Sequence, residues 1–113
     1  MVQNRNKLID LFIGNVSNSI IHEIFEKSID DENISSRYEK ELTTSFNIAK
    51  KYREKINPID RKLPDKDIEC IKTKITNKIR SELLLRISKG YENIDLDLIE
   101  ELVNRRLKSL KIL

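Results

Sequence analysis

The chain has 113 residues, 38% of them apolar and 36% charged, with a formal net charge of +3. Such a chain can bury enough surface to fold without a disulfide or metal staple, has too many core candidates for disorder and carries too many charges for a membrane span. Its single histidine and single cysteine exclude an internal disulfide, a zinc site built on several such ligands and a di-iron bundle, which needs two Glu-x-x-His pairs.

Two glycines, two prolines and one alanine, Ala49, punctuate the chain, and Ile or Leu recurs every three or four residues between them. That period belongs to helices. The expected fold is all-α, one domain over residues 1–113: an antiparallel up-and-down bundle of three long helices and one shorter C-terminal helix. At the start, Arg5 and Lys7 precede the apolar stretch Leu8 to Ile13. Asp10 interrupts that stretch and no small-residue cleavage site follows, so no secretory leader is expected. A lone Cys70 fits a reducing cytoplasm, the expected location.

The first helix is expected from about Arg5 to Ile29, on two adjacent rows: Leu8, Phe12, Val16, Ile20, Ile24 and Ile9, Ile13, Ile21, Phe25, Ile29. Each four-residue step overshoots a turn by about 40°, so the stripe winds and its two ends face different neighbours. Gly14 sits inside at a cost of about 1 kcal/mol, which predicts a bend or a close helix crossing. A second helix, about Ile34 to Ile56, stops at Asn57 before Pro58. Its seam is Tyr38, Leu42, Ser45, Ala49, Tyr52 and Ile56, widened by Phe46; the small Ser45 and Ala49 allow a partner helix to come close.

Residues 57–64 form a linker from which Ile59 and Leu63 should tuck inward. The third helix starts near Asp65 and carries Ile68, Ile71, Ile75, Ile79, Leu83 and Ile87. The triplet Leu83, Leu84, Leu85 places apolar groups about 100° apart, so that turn is expected to be buried all round, within the bundle or in a subunit interface. Gly90 supplies a left-handed stop. In Ile94 to Ile99, Asp95 reads as an N-cap and Ile94 with Ile99 as a hydrophobic staple, opening a fourth helix with Leu98, Ile99, Leu102, Val103, Leu107 and Leu110 inward.

Chemistry is sparse. His22 and Glu26 lie one turn apart, as in a zinc protease, but the second histidine of that motif is absent. His22 falls beside the apolar stripe and is expected to be a solvated surface residue. Cys70 has no resolving cysteine and acids on either side, so a packing or surface thiol is expected. Neither catalytic nor metal-binding residues are predicted, and neither a cofactor nor a small-molecule substrate.

Charge is segregated along the chain. Three bases face seven acids between His22 and Glu41, whereas six bases meet only Glu82 between Lys72 and Lys89. On a helical wheel Lys74 and Lys78 fall on one flank, Arg80 on the other, and Lys72 and Arg86 inside the apolar arc. Scattered bases solubilise a helix rather than form a phosphate-binding face. A helix-turn-helix reading of Arg80 to Leu107 places Asp95, Asp97, Glu100 and Glu101 where a reader helix would meet DNA, and acids there repel phosphate.

The leading expectation is a non-enzymatic protein acting through protein–protein contact, as a homodimer or a small subunit of a complex. Surplus apolar surface at Leu83, Leu84, Leu85, Leu110 and Leu113 would carry that contact. The alternative is a nucleic-acid-binding accessory protein using the basic segments 50–62 and 105–111: Lys50, Lys51, Arg53, Arg61, Lys62, Arg105, Arg106, Lys108 and Lys111.

Overall fold

The computed structural model describes residues 5–28, 32–57 and 61–113. Four helices follow in order, α1 (Arg5–Ser28), α2 (Glu32–Ile56), α3 (Asp65–Ser88) and α4 (Leu98–Ser109), with no strand among the described residues. They form the up-and-down bundle that the periodicity predicts. Of the expected inward residues, Ile29 and Ile59 lie outside the described residues.

The winding stripe of α1 makes it the central helix. It approaches all three others, while α2 and α3 do not approach each other. Arg5 pairs with Asp67 and Phe25 lies under Arg86, so α1 and α3 run parallel. His22 meets Tyr38 and Glu41 on the first turns of α2, which runs antiparallel. Along α1, Phe12, Val16, Ile20 and Ile24 are buried on one row and Ile13, Ile21 and Phe25 on the other. At about 1.5–3 kcal/mol for each large apolar side chain removed from water, this double row is the main source of cohesion.

Helix α1 packs more extensively on α2 than on α3 or α4, and small residues of both helices are buried. Ser17, Ser19 and Ala49 are fully buried. The Ser19 hydroxyl donates to the Val16 carbonyl at 2.7 Å, whereas the buried Ser17 hydroxyl has no partner. Gly14 is not the crossing point: α1 is continuous through it, and what lies nearest to its missing side chain is the Lys78 ammonium.

On α3 a single row, Ile68, Ile71, Ile75, Ile79 and Leu83, is buried. Of the two placements expected for the Leu83 to Leu85 turn, all-round burial within the bundle does not hold for the single chain. Leu83 is fully buried, but Leu84 and Leu85 are 49% and 48% exposed and Ile87 is 39% exposed. The short α4 begins farther down α3, where Glu100 borders the same cleft as Thr76 and Arg80. It therefore leaves the last turns of α3 uncovered.

Helices α3 and α4 end in the same way. Gly90 has φ 99°, its N–H bonds to the Ile87 carbonyl and the Tyr91 N–H to that of Arg86. After α4, Lys111 has φ 61°, its N–H bonds to Lys108 and the Ile112 N–H to Leu107. Both are left-handed caps of the Schellman type. The second holds a lysine where glycine would avoid a cost of about 1 kcal/mol. The start of α4 is later than the capping pattern implies. Its N-cap is Asp97, without a side-chain cap bond, but the capping bond expected of Asp95 is made two residues earlier, its carboxylate accepting the Asp97 N–H at 2.9 Å. Nine residues, 89–97, separate α3 from α4, longer than the turn of a helix-turn-helix.

Candidate functional site

Helices α2 and α3 do not meet over α1, and a cleft of about 580 Å³ lies between them, floored by Asn18, Ile21, His22 and Phe25 of α1. Tyr38 and Glu41 form one wall, and Lys78, Ser81, Glu82, Leu85 and Arg86 the other. His22 is here, not in open solvent. Its side chain is 23% exposed, with Nε2 3.3 Å from Glu41 Oε2 and its ring stacked on Tyr38 at 5.9 Å. Its Nδ1 is buried without a partner. The helical period places His22 beside the apolar stripe, but α2 and α3 both reach over that flank.

Arg86 closes the upper edge of the cleft. Nε donates to Glu82 at 3.0 Å and Nη1 to the Tyr91 hydroxyl at 3.3 Å, and the guanidinium lies over the Phe25 and Tyr91 rings. The bond to Glu82, then that to Tyr91, holds Arg86 above its ordinary pKa. These are structural bonds. The cleft brings together a histidine, two carboxylates and two bases, yet no His, Cys, Asp and Glu grouping among the described residues has the arrangement of a metal site. Cys70 is exposed.

At the opposite end, Arg53 is the residue that sequence reasoning missed. Assigned to the nucleic-acid set, it is instead 1% exposed. Nη1 donates to the Asn57 side chain at 2.5 Å and to its carbonyl at 3.3 Å; Nη2 donates to the carbonyls of Arg61 at 3.3 Å and Lys111 at 3.0 Å. Burial lowers its pKa from the ordinary arginine value, but an arginine remains cationic at neutral pH. The available signal was its position: four residues after Ala49 and three before Ile56, Arg53 lies on the buried face of α2.

The guanidinium ties the end of α2, the linker and the tail after α4, and so draws the two basic segments together. Arg61, Lys62, Lys108 and Lys111 are exposed there, and Lys50 and Lys51 are exposed on the preceding turns of α2. Lys62 is 3.2 Å from Asp65, both well exposed. Arg105 is paired with Glu101 on its own helix. Arg106, 12% exposed, pairs with Glu23 and covers Phe46, so it too is a bundle contact and not a free cation.

The candidate self-association residues are separated. Leu83 and Leu110 are core residues of the single chain, which corrects their assignment to a contact surface. Leu84 and Leu85 are exposed beside Arg86, near the cleft, whereas Leu113, 46% exposed, follows the tail held by Arg53 at the far end. Ile87 and Tyr91 join Leu84 and Leu85 among the exposed large apolar residues. Among the described residues no helix is long and apolar enough to cross a membrane. Comparison with protein-family models, curated proteins and solved structures finds no match.

Proposed function

We propose that this chain is a non-enzymatic interaction protein that self-associates through the C-terminal third of α3. The observation that carries the reading is the exposure of Leu84, Leu85, Ile87 and Tyr91, four large side chains within eight residues. Single exposed apolar residues are ordinary, but four large ones around the end of one helix, with Leu85 lining the cleft, have the character of a contact surface. Light scattering behind a sizing column tests it. The wild-type chain should elute as a dimer, independent of salt, and Leu84→Lys with Leu85→Lys should elute as a folded monomer by helical circular dichroism. Both positions are half-exposed, so a charge there does not unfold the chain. A wild-type chain that remains monomeric at high concentration sinks the reading.

A second reading, binding of nucleic acid, is favoured by the Arg53 clamp. It supports the reading because it holds basic segments far apart in sequence at one end of the bundle.

A further inference from the structure

The position of Lys111 deepens the second reading, binding of nucleic acid, and the inference rests on that reading. The same left-handed cap closes α3 with Gly90 and α4 with Lys111, at φ 99° and 61°. Asn93, the other non-glycine residue at positive φ among the described residues, is of a type that tolerates it. At one position of this kind the chain thus keeps a long cationic side chain against its backbone preference. A residue held in a disfavoured conformation is a marker of function when its surroundings hold it there. Three contacts do so: its N–H bonds to Lys108, its carbonyl accepts from Arg53 at 3.0 Å, and the next residue, Ile112, is buried.

The Lys111 side chain itself is exposed. Nη2 of Arg53 donates to the carbonyls of both Arg61 and Lys111, so the two backbones lie within about two hydrogen-bond lengths of each other. Lys62 is adjacent in sequence and Lys108 bonds to Lys111 directly. Cations carried on a backbone that is already fixed lose less freedom on binding than those on a loose tail. Among the described residues, Asp65 faces Lys62 and the exposed Glu54 follows Arg53 in sequence; Asp60, which precedes Arg61, lies outside the described residues.

Among the described residues, no exposed aromatic ring is present at this end to stack on bases. Tyr52 is half-buried with Lys55 near its ring, and the exposed Tyr91 lies beside Arg86 at the other end. Single-strand binding sites need such rings. The geometry points to a site for the phosphate backbone of double-stranded nucleic acid, read without base preference and anchored by Lys111 with Arg61, Lys62 and Lys108.

The test is fluorescence anisotropy with a labelled duplex of arbitrary sequence over a salt series, beside thermal melting of the same samples. Wild type should bind with an affinity that falls steeply with salt. Lys111→Gly should melt higher, by about 4 °C, yet bind more weakly and with a salt slope shallower by about 1; Lys111→Arg should restore binding. These opposite shifts separate a site residue from one that merely supports the fold. Unchanged binding by a stable Lys111→Gly would overturn the role of Lys111 while leaving the basic-end reading in place. Absence of salt-dependent binding by wild type overturns both. Tighter binding of single strands overturns the duplex assignment, and displacement by polyglutamate as effective as by unlabelled duplex assigns the site to an acidic polypeptide instead.

Discussion

At one end of the bundle, the last turns of α2, the linker to α3 and the tail after α4 converge on one buried guanidinium. At the other, α2 and α3 stand apart over α1, with a cleft, a half-buried histidine and the exposed leucines of α3. The contrast shows how a helix of 12 residues divides a bundle of longer ones. About 18 Å of helix covers one side of α1 and α3, and its tail reaches the lower end. The last turns of α3, which it leaves uncovered, keep apolar surface, while the end that its tail reaches must satisfy the backbone groups of two irregular segments. Arg53 does that with several donors on one planar group.

The largest effect should come from breaking the tied end. Arg53→Leu keeps an apolar stem but leaves the Arg61 and Lys111 carbonyls without their donor. A loss of about 3 kcal/mol is expected in urea unfolding, with the left-handed turn at Lys111 released. A loss below about 1 kcal/mol would mean that water replaces the guanidinium easily, and the two ends would then be equally loose.

An intermediate effect should come from the seam that runs between the ends. Ala49 is fully buried on α2, the helix that packs most extensively on α1, and α1 itself buries the small Ser17 and Ser19. Ala49→Leu inserts a branched side chain there and should cost about 2 kcal/mol, because overpacking forces side chains off their rotamers or the helices apart. A stable Ala49→Leu variant would show that the seam yields.

Helix boundaries and the core rows were legible because a 3.6-residue period survives in the order of residues, and each Ile on the row from Ile68 to Ile79 is buried as expected. The stop at Gly90 was legible because few residues accept its backbone angles. What was not legible depends on neighbours. Leu84 and Leu85 are as apolar as Leu83, and only the length and placement of α4 decide which is covered. Arg53 reads as a surface charge until the unpaired carbonyls of two distant segments are brought to it. Lys111 reads as part of a basic tail, since a left-handed lysine leaves no mark in composition.

The smallest effect is expected at the open end, in His22→Ala. The side chain contributes a stacked contact with Tyr38 and a pairing with Glu41, itself 49% exposed, that requires a protonated ring. Exposed pairs of this kind contribute about 0–1 kcal/mol, and an aromatic contact about 0.5–1.5 kcal/mol. Against these stands Nδ1, buried without a partner, whose desolvation costs about 1–3 kcal/mol and is relieved when the ring is removed. The opposing terms are of one size, so the melting temperature should move by no more than about 2 °C. A much larger fall would mean that the Nδ1 hydrogen bond is made in solution, through water entering the cleft. His22 would then tie α1 to α2 at the open end as Arg53 ties the segments at the other.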